Sequence, residues 1–158
     1  MARSRGMPLI AIPVFPRRLF SQSQMWINVS AGIKSPKDLI GRKVGLSTFQ
    51  TTLSVLAKGD LQSEYGVPWR DIKWYVAKEE TVPFKPQEGV TIQLVPHGKK
   101  IGAMLEAGEI DALMMPHPPK EVVRGLDRIR RLFSDPKQEE INYCRKKRLL
   151  SDHASDNV

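Results

Sequence analysis

Two adjacent arginines, Arg17 and Arg18, are the first residues whose type indicates a chemistry. A guanidinium group pairs with a carboxylate through two parallel hydrogen bonds, so an arginine beside a cleft can hold a small carboxylate. The alternative is that the two arginines form a solvated basic turn without a ligand. From the residues alone, both interpretations stay open.

A run of hydroxyl side chains forms a second candidate, between a predicted strand and a predicted helix. Its sequence is Ser47-Thr48-Phe49-Gln50-Thr51-Thr52. Helix capping by Ser47 and Thr48 explains one hydroxyl, but the run contains more hydroxyls than a cap requires. In parallel sheets, ligands bind at the carboxyl ends of strands, where helix N-termini offer free N–H groups to anions. We therefore expect Thr48 or Thr52, together with Ser47, to contact an anionic ligand.

The histidines are the third candidates, because imidazole exchanges protons near neutral pH. His117 lies in a proline-rich segment directly after a predicted strand, His97 precedes a predicted helix that it could cap, and His153 lies near the C-terminus. The three lack the regular spacing of a metal site, so we expect no metal. Cys144, the single cysteine, excludes an internal disulfide and is expected to be an ordinary thiol.

The elements that must position these residues alternate between strand and helix. Apolar runs predict strands, and helical spacing with caps predicts helices. A short helical turn is expected at 35–41, where Ser35 precedes Pro36 and Gly41 follows. The alternation predicts an α/β fold with a largely parallel sheet. The predicted strands are 9–15, 25–29, 43–46, 72–76, 90–95 and 110–115, and residues 77–89 are predicted to form a polar loop. The predicted helices are about 50–65, 99–107 and one that Asp135 caps, with Gln138 completing a capping box. The first of these helices is expected to end at Gly66 and to bury an apolar stripe of Leu53, Leu56, Ala57 and Leu61.

The positive charge is concentrated at the two ends of the chain. Of the net +8, residues 1–18 carry +4 and residues 144–158 carry +2, so the body is nearly neutral. Because the chain also has no zinc-finger, RNA-recognition or zipper motif, we expect no nucleic-acid partner. No apolar run is long enough to span a membrane, and prolines interrupt the one N-terminal run that could be an export signal. We therefore expect a cytoplasmic protein.

Four longer motifs occur along the chain. The motifs are Ile12-Pro13-Val14-Phe15-Pro16 with Arg18 and Phe20, Pro36-Lys37-Asp38-Leu39-x-Gly41-x-x-Val44-Gly45, Met104-Leu105-x-x-Gly108-Glu109-Ile110-Asp111-Ala112-Leu113, and Arg131-Leu132-Phe133. Motifs of the proline–aspartate–leucine–glycine and glycine–glutamate–isoleucine–aspartate–alanine kind occur widely in solute-binding proteins. Together the four motifs resemble the 4,5-dihydroxyphthalate decarboxylase family, and the proline-flanked segment with Arg18 is what narrows the resemblance to these decarboxylases.

The resemblance implies a type-two periplasmic-binding-protein fold, with one complete lobe plus part of the other. It divides the chain into 1–39 (the remnant of lobe one and the crossover), 40–116 (lobe two), 117–147 (a return towards lobe one) and 148–158 (an aberrant tail). We expect a fragment with little or no activity of its own. A frameshift near Lys147 is our hypothesis for the tail, and resequencing the locus tests it.

The resemblance implies decarboxylation of an aromatic dicarboxylate, giving protocatechuate and carbon dioxide in aromatic catabolism. A ring hydroxyl para to the departing carboxylate can supply the electrons, so we expect no cofactor. Substrate binding is expected from Arg18, Arg17, Ser47, Thr48, Gln50 and Thr52, and His117 is the expected proton donor. The alternative is a non-catalytic solute-binding protein of a transporter, for a small organic anion or a thiamine-precursor-like ligand, because one fold hosts both activities. The oligomeric state stays open.

Overall fold

The chain forms a six-stranded mixed sheet with helices on both faces. A computed structural model describes Gly6, residues 20–117, Lys120, Arg124 and residues 127–147. The strand order across the sheet is β4-β3-β2-β5-β1-β6. The elements are β1 (Met25–Asn28), β2 (Lys43–Leu46), α1 (Thr52–Tyr65), β3 (Lys73–Val76), β4 (Ile92–Leu94), α2 (Ile101–Glu106), β5 (Ala112–Met114), β6 (Ile129–Arg131) and α3 (Pro136–Lys146).

The predicted α/β class is confirmed, and the parallel part of the sheet consists of β4, β3, β2 and β5. The expectation of a largely parallel sheet is wrong for β1, which runs antiparallel to both of its neighbours, β5 and β6. An apolar run indicates burial but carries no information about strand direction, so this reversal was invisible in the sequence. The predicted strand 9–15 lies outside the described residues.

Strand β6 was missed in the sequence because it carries two exposed arginines beside one buried isoleucine. Charged side chains are common on edge strands, where they discourage pairing with other chains. Here the guanidinium of Arg131 lies 5.0 Å from the ring centre of Trp26, on the neighbouring strand β1. This cation–π contact gives the polar edge strand a specific partner.

Helix α1 begins two residues later than predicted. Thr51 is the N-cap and its hydroxyl accepts a hydrogen bond from the Ser54 N–H, so the expected caps Ser47 and Thr48 are wrong. Gly66, with a φ of 64°, ends the helix as predicted. The predicted apolar stripe is correct at Ala57 and Leu61, but Leu56 is half exposed.

The other predicted caps are largely confirmed. Ser35 and Asp38 form a capping box around Pro36, and the Asp38 carboxylate accepts the Ser35 N–H at 2.9 Å. Asp135 accepts the Gln138 N–H at 2.9 Å and starts α3. The second half of the box predicted there is absent among the described contacts, because the Gln138 side chain donates to Asn142 instead.

Polar contacts tie α3 to α1. The Tyr143 hydroxyl donates to Asp60 at 3.1 Å, and the Tyr65 hydroxyl donates to Glu139 at 3.0 Å. Glu64 pairs with Lys147 and Lys146, and these lysines lower the pKa of its carboxyl to about 2. Hydrogen bonds and ion pairs therefore hold helix α3 against helix α1.

Two apolar clusters fill the space on the two faces of the sheet. Helix α1 covers the face that carries Val44, Leu46 and the fully buried Trp74. Helix α2 packs on the opposite face, against Leu113. This layering leaves the ends of the strands between the two helical layers, where the candidate ligand-binding segments lie.

Gly45 is the point of closest approach on the α2 face. A Cβ atom at this position would lie within 2.9 Å of the side chains of Ile101, Ile110 and Leu113. We expect Gly45→Ala to lower the free energy of unfolding by about 1 to 3 kcal/mol, because three packed side chains must move. Urea denaturation measures the effect.

A matched control for this prediction is Gly59→Ala in helix α1, where a Cβ meets open space. That change should stabilise the protein by up to about 1 kcal/mol, since alanine favours helix over glycine. Equal effects of the two substitutions would contradict the packing argument.

Candidate functional site

The carboxyl ends of four parallel strands meet at one edge of the sheet. The register pairs Leu46 of β2 with Val76 of β3 and with Met114 of β5, and Val76 with Leu94 of β4. The segments that follow these strands therefore begin side by side. We call this region the strand-end edge, defined by Ser47, Thr48, Lys78, His97 and His117.

Backbone hydrogen bonds hold these segments together beyond the strands. The Lys78 N–H donates to the Ser47 carbonyl at 3.1 Å, and the Val95 N–H donates to the Val76 carbonyl at 2.9 Å. On the other side, the Met115 N–H donates to the Gln24 carbonyl at 3.2 Å, which joins the start of β1 to the same edge. Backbone hydrogen bonds therefore hold the segments of the strand-end edge together.

The strand-end edge carries the positive charge of Lys78 and the imidazoles of His97 and His117. A shallow cleft of about 290 Å³ is lined by Lys78, Glu79, His97 and Lys99 among other residues, so one exposed carboxylate offsets part of its positive charge. Lys99 is already paired with Glu109 at 2.5 Å, so its charge is largely balanced. Lys78 and His97 are exposed, as is His117 three residues beyond β5. Lysine and imidazole donors suit an anion in this position.

The predicted hydroxyl residues lie at the same edge. Ser47 follows β2 directly and Thr48 comes next, and both are half-buried. The Thr48 carbonyl accepts the Ser54 hydroxyl at 2.7 Å, which fixes the backbone before the helix. Thr52 is exposed in the first turn of α1. The structure therefore brings Ser47 and Thr48 into the region of His97 and His117, although their contact with a ligand stays a prediction.

Gln50 has a structural partner that the sequence did not indicate. Its side-chain amide donates to the Glu80 carboxylate at 3.1 Å and to the Val82 carbonyl at 2.9 Å. These two bonds occupy both N–H groups of the amide, so the amide oxygen is the group left to accept a hydrogen bond from a ligand. The expected role of Gln50 in substrate binding is not tested by this geometry, and its role in bracing segment 80–82 is new.

Glu80 occupies the anion position that the sequence assigned to a ligand. One of its carboxylate oxygens accepts the N–H groups of both Phe49 and Gln50, immediately before helix α1. These contacts explain why the chain becomes helical only after Thr51. The expected pattern of an anion at a helix start is present, but the anion belongs to the protein itself.

Glu80 was missed because Glu79-Glu80 looked like part of a solvated loop. The available signal was weak: an acidic residue shortly after one parallel strand can reach the segment that follows its neighbour. The register of β2 and β3 makes this approach possible, and register was not readable from the sequence.

Lys58 is a second residue that sequence analysis did not single out. It lies in α1 with 8% of its surface exposed, and its ammonium donates to the Phe49 carbonyl at 2.8 Å. The same nitrogen lies 3.0 Å from the centre of the Phe49 ring. Burial lowers the pKa of the Lys58 ammonium to about 8, while the charge of Glu80 acts in the opposite direction. The lysine is therefore mostly charged at neutral pH.

The remaining predicted residues have different outcomes. Arg17, Arg18 and His153 lie outside the described residues. The proposed helix cap at His97 is wrong, because α2 begins after Lys100 and has no side-chain cap. The intervening turn, with Gly98 at a φ of 79°, moves the imidazole away from the helix start.

The described ranges contain neither a cluster of metal ligands nor a helix able to span a membrane. Residues 20–117 and 127–147, with Gly6, Lys120 and Arg124, contain no group of three or more histidine, cysteine, aspartate or glutamate side chains arranged for a metal. In the same part of the chain, no helix has the length and apolar content needed to cross a bilayer.

Sequence comparison identifies two curated relatives with the same name. A 4,5-dihydroxyphthalate decarboxylase of Comamonas testosteroni is 34% identical over 149 residues, covering 90% of this chain and 45% of the relative. The chain is similar in sequence to this decarboxylase over most of its own length. A 4,5-dihydroxyphthalate decarboxylase of Pseudomonas putida is 30% identical over 135 residues, covering 82% of this chain and 52% of the relative. The chain thus spans about half the length of the decarboxylases it matches.

Comparisons with family profiles and with solved structures give weaker results than the sequence relatives. No profile of a known protein family matches the chain. Among solved structures, the periplasmic aliphatic sulphonate binding protein SsuA from Escherichia coli matches with a TM-score of 0.46 and 18% identity, covering 71% of this chain and 31% of that one. The two sequence relatives confirm the resemblance to the decarboxylases. The division of the chain into lobes stays a prediction.

Proposed function

We propose that the protein is part of a decarboxylase that acts on an aromatic dicarboxylate of the 4,5-dihydroxyphthalate type. The observation that supports this most is the similarity to two decarboxylases of one name over most of the chain. The arrangement of the strand-end edge is compatible with it, because the hydroxyl residues after β2 and Lys78 after β3 lie at the same end of neighbouring parallel strands. The product would be protocatechuate, with release of carbon dioxide.

The proposed reaction asks the protein for two things. It must hold the carboxylates of the substrate, and it must supply a proton to the ring carbon that loses carbon dioxide. A proton first bonds to the ring carbon that carries the departing carboxylate, because the para hydroxyl supplies electron density to that carbon. The bond between this carbon and the carboxylate then breaks, its electron pair returns to the ring, and carbon dioxide leaves. This order of steps needs no electron-accepting cofactor.

In this proposal, the hydroxyl and cationic groups near the strand-end edge have separate roles, and His97 has none. Ser47, Thr48 and Thr52 donate hydrogen bonds to a carboxylate, and Lys78 adds a positive charge that the sequence analysis had not assigned. Arg18, with Arg17 beside it, is proposed to clamp the second carboxylate. His117 is proposed as the proton donor, since imidazole titrates near neutral pH.

The direct test is to incubate a full-length homologue with 4,5-dihydroxyphthalate and to measure carbon dioxide and protocatechuate together. Equimolar formation of both products is the expected result, whereas the 158-residue chain alone should show little or no turnover. Binding of the substrate without turnover by the full-length homologue would overturn the proposal and would favour a non-catalytic solute-binding protein.

His117→Ala tests the proposed proton donor. We expect it to lower kcat at least about tenfold while KM changes little, because proton transfer and not binding is impaired. Steady-state kinetics of a full-length homologue with and without this change, at several pH values, measures both constants.

His97→Ala is the matched control for this experiment, since His97 is an exposed histidine at the same edge of the sheet. Its kcat should stay within about twofold of the parent. Unchanged turnover in the His117 variant would remove this residue from the mechanism.

A further inference from the structure

A second concave site lies on the α1 side of the sheet, beside the segment that leads from the strand-end edge into helix α1. It is a cleft of about 230 Å³ between helix α1, the turn at Trp69 and segment 84–90. Ligand pockets for drug-sized molecules begin at roughly 300 Å³, so this cleft suits a smaller ligand with a single ring. Its main lining residues are Phe49, Val55, Lys58, Trp69, Phe84 and Lys85.

Aromatic rings form the walls of this cleft. Phe49 and Phe84 stack with ring centres 5.6 Å apart and planes tilted by only 7°. Trp69 meets Phe49 edge to face at 6.2 Å. Phe84 and Trp69 are each partly exposed, and the neighbouring Val55 is 45% exposed. A flat apolar surface of this kind is suited to a planar ring.

The charges around the cleft are mainly positive. Lys58 contributes a nearly buried ammonium and Lys85 an exposed one. The guanidinium of Arg70 lies 5.4 Å from the Trp69 ring and donates to the Gln87 side chain at 2.6 Å. The opposing charge is that of Glu80, whose oxygens already accept hydrogen bonds from Phe49 and Gln50.

Lys58 has unused capacity for a ligand. An ammonium has three donors, and the described contacts give Lys58 one acceptor, the Phe49 carbonyl. The other contacts of its nitrogen are aromatic faces, at 3.0 Å to the Phe49 ring centre and 5.6 Å to that of Trp69. A carboxylate that enters between these rings would meet a charged donor in a poorly hydrated environment, where the attraction is strong.

We propose that this cleft, the flank site, binds a small aromatic carboxylate. The ring lies against Phe84 and Trp69, and the carboxylate is held by Lys58 and Lys85. Gln50, which is expected to bind the substrate, also lines the flank site, but the residues of the strand-end edge (Ser47, Thr48, Lys78, His97 and His117) do not. The proposed binding involves no reaction and does not depend on the proposed decarboxylation.

Titration with benzoate, followed by nuclear magnetic resonance of the tryptophan indole N–H signals, tests the proposal on the full chain. We expect saturable binding with a Kd of about 1 mM, as one ring and one ion pair provide limited affinity. The signal of Trp69 should shift, while that of Trp26, on the α2 side, should not. Benzyl alcohol, which keeps the ring without the charge, should bind at least about tenfold more weakly.

Lysine variants show which side chains bind the carboxylate of benzoate. Lys58→Met keeps the apolar length of the side chain and should weaken benzoate binding about tenfold, and Lys85→Met should weaken it about threefold. Lys85 is exposed, so its variant tests the site even where the Lys58 variant fails to fold. Lys37→Met, at an exposed lysine of the turn Pro36–Leu39, is the matched control and should leave the Kd unchanged.

Several results would overturn the flank site. They are no saturation up to about 10 mM benzoate, equal affinity for benzyl alcohol, an unchanged Kd in the Lys85 variant, or a Trp69 signal that does not move. A turnover assay with 4,5-dihydroxyphthalate is independent of these measurements. The failure of the proposed decarboxylation and the failure of the flank site are therefore distinguishable.

Discussion

Replacing Glu80 by alanine is expected to lower the free energy of unfolding by about 3 kcal/mol. The carboxylate accepts the backbone N–H groups of Phe49 and Gln50 and the side-chain amide of Gln50. Without it, these donors lose a charged acceptor in a partly buried position. The variant also removes the negative charge that offsets the buried ammonium of Lys58. Urea denaturation followed by circular dichroism measures the loss.

Two further variants sharpen this prediction. Glu79→Ala removes the neighbouring exposed carboxylate and should change the unfolding free energy by no more than about 0.5 kcal/mol. Glu80→Gln keeps one carbonyl acceptor and should give an intermediate loss. If the Glu79 and Glu80 alanine variants are equally stable, the carboxylate does not brace the segment before helix α1.

The second large effect is expected from Asn28→Ala, at the end of strand β1. We expect a loss of about 2 to 3 kcal/mol, because the 5% exposed side chain makes bonds in two directions. Its oxygen accepts the Ser30 N–H at 2.8 Å, and its nitrogen donates to the Leu105 carbonyl at 2.7 Å, near the end of helix α2. The substitution leaves both backbone groups without these partners. Urea denaturation again provides the measurement.

Asn142→Ala is the control for this prediction. Asn142 is exposed in helix α3, and its side chain accepts one hydrogen bond from Gln138 at 3.0 Å. Its removal should cost less than about 0.5 kcal/mol. A comparable loss in both variants would mean that burial and the link to α2 contribute little at Asn28.

Local patterns were readable in the sequence wherever one residue type has one structural use. Ser35 with Pro36 and Asp38 predicted a capped turn, Asp135 predicted the start of α3, and Gly66 predicted the end of α1. In each case the chemistry lies within a few residues of the chain. Strand β6 escaped because its Arg130 and Arg131 have no apolar alternation to reveal them.

The candidate site was only partly predictable, for a reason of distance along the chain. Ser47 and Thr48 follow β2, so their place at a strand end could be inferred from local pattern alone. The link from Glu80 to Phe49 spans 31 residues and depends on the pairing of β2 with β3. Pairing of this kind is fixed by tertiary packing, which short-range sequence patterns do not encode.

The antiparallel placement of β1 has a consequence for how the chain assembles during synthesis. Strand β1 ends at Asn28, but its two partners, β5 and β6, end at Met114 and Arg131. At ribosomal rates of about 5 to 20 residues per second, both edges of β1 stay unpaired for several seconds after it emerges. The apolar residues Met25 and Ile27 are then accessible to other nascent chains or to chaperones. Slower translation between the emergence of β1 and that of β6 should therefore increase aggregation of this protein.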